Sequence, residues 1–122
     1  MKKILLIEDE KIMVDILQRK LTKEGYDISV ANNGKEGLRV MKEINPDLIL
    51  LDIIMPEMSG FEVMEEMRKD SKLNKIPLIV ISNSGQPVEI NRVKKLGAED
   101  WLIKTEFDPQ EVLEKVRKQI GN

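Results

Sequence analysis

Four short runs of consecutive apolar residues divide the chain at regular intervals. They cover residues 4–7, 48–51, 78–81 and, in a shorter form, 101–103. Such runs are typical of parallel strands that are covered on both faces. A fifth segment, residues 26–31, alternates apolar and polar side chains, which is typical of a half-covered edge strand. The pattern therefore predicts five strands.

The segments that follow these strands repeat their apolar residues at helical spacing. The repeats comprise Met13, Ile16, Leu17 and Leu21, then Leu38, Met41 and Ile44, then Phe61, Met64 and Met67, then Ile90, Val93 and Leu96, and finally Leu113, Val116 and Ile120. Ser59 with Glu62 predicts a capping box for the third helix, and Asp108 before Pro109 predicts the start of the fifth. We therefore expect one helix after each strand.

Strict alternation of strands with helices predicts a single α/β domain over residues 1–122. Right-handed crossovers place the five strands in the order 2-1-3-4-5, as a doubly wound, flavodoxin-like parallel sheet flanked by five helices. In such sheets ligands bind beyond the carboxyl ends of the strands, where the strand order reverses. The residues that close the strands are therefore the candidates for function.

The composition is that of a folded, well-solvated chain with no excess of positive charge. Of the 122 residues, 41% are apolar and 34% charged, with 20 basic and 22 acidic side chains mixed along the sequence. Without a basic stripe, we expect neither nucleic acid nor membrane as a direct partner. The apolar run at residues 4–7 ends at Glu8 and is too short for a signal peptide or a membrane span. This predicts a cytoplasmic protein.

Cysteine and histidine are both absent from the sequence. Their absence excludes disulfides and thiolate chemistry, and it removes the commonest metal ligand and the usual acid-base group at neutral pH. Carboxylates, hydroxyls and lysine are left for any reaction.

Polar side chains of these types close four predicted strands: Glu8 and Asp9 the first, Asp52 the third, Ser82 the fourth and Lys104 the fifth. The first and third strands are neighbours in the predicted order, so their carboxylates should repel one another in one cleft unless a cation is present. An oxygen-only ligand set in an open cleft favours Mg²⁺, which accepts phosphate oxygens as further ligands. Asp52 could then attack phosphorus, with Lys104 neutralising the transferring group and Ser82 drawn toward it.

Each of these residues has a simpler explanation when it is taken alone. Asp9 and Glu10 could favour the start of the first helix through capping and the helix dipole. Asp52 could be an ordinary turn residue, Ser82 a loop hydroxyl and Lys104 a solvated charge. Independent loop residues, however, have no reason to collect at the ends of successive strands on one side of one sheet.

Several motifs surround these positions. They are Ile7-Glu8-Asp9, then Asp52-Ile53-Ile54-Met55-Pro56-Glu57-Met58-Ser59-Gly60, then Ser82, then Leu96-Gly97-Ala98, and last Asp100-Trp101-Leu102-Ile103-Lys104. From residue 3 to about residue 120 the chain closely resembles the receiver domains of response regulators, the CheY-like family of bacterial two-component systems. The resemblance implies that Asp52 is the phosphoryl acceptor. It also implies that Mg²⁺ is held by Asp9, Asp52 and the backbone carbonyl of Ile54, with Glu8 assisting mainly through water.

The resemblance extends to the other site residues and to partners. It implies that Ser82 and Lys104 contact phosphoryl oxygens, and that the Ser82 loop is coupled to Trp101 as a two-state switch. The donor would be a phosphohistidine on a sensor histidine kinase or a histidine phosphotransfer protein. A downstream protein would bind the face formed by helix four, strand five and helix five. We expect no enzyme activity beyond the chain's own phosphorylation and dephosphorylation.

Three departures from the family's usual pattern involve four residues. Thr105 replaces the proline after the lysine, which is often joined by a cis bond; without proline a cis bond costs about 3 kcal/mol, so Lys104–Thr105 is expected to be strained, or trans with a rearranged loop. Trp101 is bulkier than the usual tyrosine or phenylalanine, which predicts a muted switch. Asn83 replaces a small residue, and Ile54 offers no polar side chain to a hydrolytic water, which predicts a long-lived phosphoryl group.

Other functions stay open on the sequence alone. The stronger alternative is a receiver-shaped protein-interaction module that acts without phosphorylation. The departures at Thr105 and Trp101 favour this alternative. A haloacid-dehalogenase-like phosphatase would need an acid two residues after its nucleophile, where this chain has Ile54. A nucleotide-binding module is disfavoured because Glu8, Asp9 and Glu10 would repel phosphate and no glycine-rich phosphate loop exists.

Overall fold

The computed structural model describes residues 1–83, 87–105 and 108–121. Within them lies one sheet of five parallel strands, numbered along the chain: β1 Lys3–Ile7, β2 Asp27–Ala31, β3 Leu48–Asp52, β4 Leu78–Ser82 and β5 Asp100–Ile103. The strands lie in the order β2-β1-β3-β4-β5. This confirms the doubly wound parallel sheet that the alternating pattern predicts.

One α-helix follows each strand, as predicted: α1 Lys11–Lys23, α2 Gly34–Ile44, α3 Gly60–Arg68, α4 Pro87–Lys95 and α5 Pro109–Ile120. The structure adds a short 3₁₀ turn, Leu73–Lys75, that the apolar spacing did not indicate. Helix α4 ends at Lys95, one residue before the predicted Leu96. The chain then turns through Gly97, whose φ of +102° is a left-handed conformation that glycine adopts at little cost.

The two faces of the sheet bury separate clusters of apolar side chains. Helices α1 and α5 cover one face, where their buried residues are Leu17, Leu21, Val112, Leu113 and Val116. Helices α2, α3 and α4 cover the other, with Met41, Val63, Met64, Met67 and Val93. Successive strand residues therefore enter different cores, which explains why the central strands are apolar at every position. Among the described residues, none of the helices combines the length and the apolar content that a membrane span requires.

Side-chain caps start most of the helices. Ser59 accepts from the Glu62 N–H at 3.3 Å and Asp108 from the Glu111 N–H at 2.8 Å, which confirms both predicted starts. Asn33 caps α2 in the same way. Helix α1 differs, because its N-cap residue, Glu10, makes no side-chain hydrogen bond to the helix.

Candidate functional site

Strand register brings the predicted site residues to one edge of the sheet. Ile7 of β1 pairs with Leu51 of β3, so Glu8 and Asp52, each the next residue along, lie side by side. Ser82 of β4 pairs with Ile103 of β5, immediately before Lys104. Since β1, β3, β4 and β5 are successive neighbours, the four side chains surround a single cleft at the carboxyl ends of the strands.

Three carboxylates converge in this cleft. Glu8, Asp9 and Asp52 each offer an oxygen, and these oxygens all lie within 4.8 Å of one another. Glu8 and Asp52 are almost fully buried, with 1% and 3% of their surface exposed, whereas Asp9 faces solvent. An oxygen-only set that is open on one side suits a hard cation that keeps part of its hydration shell, so the donor set fits Mg²⁺.

The ammonium group of Lys104 lies among the acidic side chains. Its Nζ is 2.7 Å from Glu8 Oε1, 3.2 Å from Asp52 Oδ2 and 3.4 Å from Glu10 Oε2, and the side chain is only 7% exposed. The backbone N–H of Lys104 donates to the Ser82 carbonyl at 2.7 Å. No described peptide bond is cis, so the Lys104–Thr105 bond is trans. Lys104 therefore reaches the Asp52 carboxylate without the usual proline.

Burial and neighbouring charges shift the pKa values of Glu8 and Lys104. Desolvation raises the pKa of Glu8 to about 7, the carboxyl of Asp52 reinforces the shift, and Lys104 opposes it. Burial alone would lower the pKa of Lys104, but the carboxylates of Glu8 and Asp52 outweigh it and raise that pKa above its ordinary value. Lys104 therefore stays charged near neutral pH, while Glu8 takes up a proton readily.

Backbone amides orient both buried carboxylates. Glu8 Oε2 accepts from the N–H groups of Asp9 at 3.0 Å and Glu10 at 3.2 Å. Asp52 Oδ1 accepts from the Ile54 N–H at 3.4 Å. The backbone of Ile54 thus borders the cleft while its side chain is 66% exposed. The metal-binding role of the Ile54 carbonyl stays a prediction.

A close approach at Gly60 fixes the segment of chain that follows Asp52. The Gly60 N–H donates to the Ile53 carbonyl at 2.7 Å. A Cβ atom on Gly60 would lie 2.5 Å from the Asp52 carbonyl oxygen and 2.7 Å from the Ile53 Cα. Both distances are below van der Waals contact, so only glycine lets the start of α3 approach β3 this closely. The sequence placed Gly60 in the acceptor motif but gave it no role.

The two predicted switch residues occupy the β4 and β5 side of the cleft. Ser82 is the last residue of β4 and is buried, whereas Asn83 is exposed. The rest of the predicted Ser82 loop, residues 84–86, lies outside the described residues. Trp101 is partly buried against the core face that α2, α3 and α4 cover. Its indole Nε1 is buried without a hydrogen-bond partner in the described structure. Muting of the switch by this bulky side chain stays a prediction.

Glu10 is a site residue whose contact sequence reasoning missed. The sequence suggested that it favours the start of α1 as a cap, yet its side chain makes no cap hydrogen bond. Its carboxylate instead contacts Lys104, which is 94 residues further along the chain. The only available signal was its position directly after Glu8 and Asp9 at the end of β1.

A doubly wound sheet that collects acids, a hydroxyl and a lysine at its carboxyl edge defines the CheY-like class of α/β domains. A family model described as the response regulator receiver domain matches residues 4–117 of this chain. The chain therefore belongs to the receiver domain family of two-component response regulators.

Relatives of two lengths and a solved structure agree with this assignment. The chain is 36% identical to the chemotaxis protein CheY of Thermotoga maritima over 118 residues, which cover 96% of both chains. It is 34% identical over 116 residues to the alkaline phosphatase synthesis transcriptional regulatory protein PhoP of Bacillus subtilis, covering 95% of this chain and 47% of PhoP. The chain thus spans about half the length of such regulators. The chemotaxis protein CheY4 of Vibrio cholerae, at 28% identity, superposes with a TM-score of 0.91 over 98% of this chain and 99% of its own.

Proposed function

We propose that this chain is a phosphorylation-dependent switch of a two-component phosphorelay, which accepts a phosphoryl group on Asp52 with the help of Mg²⁺. One observation carries the proposal. The Lys104 ammonium lies 3.2 Å from the Asp52 carboxylate, in a cleft whose other walls are the Glu8 and Asp9 carboxylates. A nucleophilic carboxylate, a fixed positive charge and a set of oxygen ligands are the parts that phosphoryl transfer needs.

The metal would be held by Asp9, Asp52 and the carbonyl of Ile54, with Glu8 assisting mainly through water. When bound, Mg²⁺ supplies positive charge that offsets the charge of the carboxylates and of phosphoryl oxygens. The exposed side of Asp9 leaves room for the waters that the ion retains. The buried Glu8 is held by two backbone N–H groups, so its carboxylate is already oriented toward the cleft.

The residues of the cleft have separate roles in the transfer. An Asp52 oxygen attacks phosphorus, the phosphorus–nitrogen bond of the donor phosphohistidine breaks, and the imidazole leaves as the acyl phosphate forms on Asp52. Lys104 neutralises charge on the transferring group, and the Ser82 hydroxyl donates to a phosphoryl oxygen. No acidic side chain stands at Ile54 to protonate a leaving group, so we propose no turnover of separate substrates. The chain catalyses at most its own phosphorylation and dephosphorylation.

The phosphohistidine donor must lie outside these 122 residues, because they contain no histidine. We assign that role to a sensor histidine kinase or a histidine phosphotransfer protein. Apart from Met1, the large apolar side chains exposed in the described residues are Ile12, Ile16 and Ile54. All three lie close in sequence to the cleft acids, and exposed apolar side chains beside a reactive group favour docking of a protein.

The readout would be carried by the face that α4, β5 and α5 form. A cavity of about 250 Å³ lies on this face between α4 and β5, and its lining includes Val93, Lys94, Ala98 and Trp101. We propose that a downstream protein binds this face. The receiver residues themselves would contact neither nucleic acid nor membrane, since their net charge is −2.

Intact-mass measurement after incubation with acetyl phosphate and Mg²⁺ tests the proposal directly. We expect the wild-type chain to gain the mass of one phosphoryl group and the Asp52→Asn variant to gain none. Asp15→Asn is a matched control, because Asp15 is exposed on α1 and its loss changes the net charge equally. Equal labelling of wild type and Asp52→Asn, or no labelling of either, would favour an interaction module that acts without phosphorylation.

A further inference from the structure

Glu10 uses its side chain differently from the other described helix-capping residues. It is the N-cap of α1, with an extended backbone (φ −82°, ψ 109°), yet its carboxylate caps nothing. Asn33, Ser59 and Asp108 occupy the same position on α2, α3 and α5, and each accepts a hydrogen bond from its own helix. The Glu10 carboxylate instead lies 3.4 Å from Lys104 Nζ while 53% of the side chain is exposed.

This contact brings the number of carboxylates around Lys104 to three. Glu8, Asp52 and Glu10 each have an oxygen within 3.4 Å of its Nζ. A lysine ammonium has only three N–H donors. Asp52 and Glu10 accept hydrogen bonds from two of them, at 3.2 Å and 3.4 Å, whereas Glu8 Oε1 is an ion-pair contact that makes no hydrogen bond. A phosphoryl oxygen must therefore compete with these contacts for Lys104.

A bound metal would weaken the contacts that only two of these three carboxylates make with Lys104. Glu8 and Asp52 belong to the convergent carboxylate group that suits a cation, together with Asp9, whereas Glu10 does not. A cation that takes over Glu8 and Asp52 weakens their hold on Lys104. Glu10 lies outside that group, so its contact with Lys104 is the one that persists after the metal has bound.

We propose that Glu10 is a positioning residue that competes with the phosphoryl group for Lys104 and so favours the unphosphorylated state. This inference rests on the proposed function, because it requires a phosphoryl group on Asp52. The competition is modest, since Glu10 is half exposed and water screens its attraction for the ammonium. Removing the Glu10 carboxylate removes one of the two hydrogen bonds that hold the Lys104 ammonium, so the ammonium can turn more readily toward the phosphoryl oxygens.

Binding of beryllofluoride, a mimic of the phosphoryl group, measures this competition by titration calorimetry at saturating Mg²⁺. We expect Glu10→Gln to tighten binding between about twofold and about fivefold, the range that an exposed ion pair supports. Glu10→Asp should tighten it similarly, because its shorter side chain draws the carboxylate away from Lys104 but keeps the charge. Glu43→Gln removes a similarly exposed, ion-paired carboxylate from α2 and should leave the affinity unchanged.

A second comparison tests whether the effect passes through Lys104. In a Lys104→Met background, Glu10→Gln should no longer change the affinity, whereas a general effect of charge or helix stability would persist. Unchanged or weaker binding in both Glu10 variants overturns the inference, as does a gain that survives in the Lys104→Met background. Wild-type chain that binds no beryllofluoride at all, or binds it equally after Asp52→Asn, would refute the proposed function instead.

Discussion

Protonation of Glu8 should make the free energy of unfolding depend on pH in the direction opposite to that of a salt-bridged surface acid. Burial raises the pKa of Glu8 from 4.5 to about 7, with the Asp52 carboxyl acting in the same direction. In the unfolded chain the pKa returns to its ordinary value. Between these two pH values the folded chain holds a proton that the unfolded chain has released.

The sign and size of the effect follow from this difference. The contribution of Glu8 is fully present below pH 4.5 and is lost as the pH rises through the folded-state pKa of about 7. Each unit of difference corresponds to about 1.4 kcal/mol, so the loss has an upper limit of about 3 kcal/mol. The pKa of about 7 already includes the opposing attraction of the nearby Lys104 ammonium, so no further reduction applies.

Urea unfolding at about pH 5 and about pH 8, with metal chelated, measures the effect. We expect the free energy of unfolding to fall between these values in the wild type and to fall less in Glu8→Gln, which cannot titrate. Glu43→Gln, on the exposed surface of α2, should retain the wild-type slope. Added Mg²⁺ should stabilise the wild type more at the higher pH, because the ion binds the deprotonated carboxylate. Identical pH slopes in the wild type and Glu8→Gln would refute the reasoning.

Substitutions at three other positions test the site. Gly60→Ala should lower the free energy of unfolding by about 1 to 3 kcal/mol in urea titrations, because its methyl group meets the backbone of Asp52; unchanged stability would contradict this contact. Lys104→Met should slow phosphorylation by acetyl phosphate by about 100-fold or more in intact-mass time courses, and a wild-type rate would remove Lys104 from the transfer. Ile54→Asn or Ile54→Glu should shorten the lifetime of the phosphoryl group, since either side chain can position a hydrolytic water; an unchanged decay rate in both variants would count against that role.

The fold could be predicted from the sequence because its strongest signals are local. Apolar runs marked four strands, alternation of apolar and polar residues marked the edge strand β2, and repeats at helical spacing marked the α-helices. The ends of the strands are harder to predict, because they depend on pairing with neighbouring strands. Asp52 and Ser82 extend their strands by one residue because Asp52 pairs with Ile81 and Ser82 with Ile103. The 3₁₀ turn at Leu73–Lys75 had no apolar period to indicate it.

The sequence could predict which residues form the candidate site, but it could not predict which of them contact one another. Topology alone brings Glu8, Asp52 and Lys104 to one edge of the sheet. Sequence spacing could not show that Glu10 turns away from its own helix, because the contact depends on where β5 delivers Lys104. Nor could it show that the trans bond before Thr105 leaves the lysine in place.

Strand pairing determines the position of Lys104 and joins this residue to Ser82, a residue of the proposed switch. Its backbone N–H donates to the carbonyl of Ser82, so the lysine and the hydroxyl that would contact a phosphoryl group are joined through one hydrogen bond. Trp101 lies three residues earlier on β5 and contacts the core beneath α4. A displacement of Ser82 toward Asp52 would therefore strain the end of the β4–β5 pair. Under the proposed function, the β4–β5 strand pair connects Asp52 with the face that α4 helps to form. Strand β2, at the opposite edge of the sheet, takes no part in this connection.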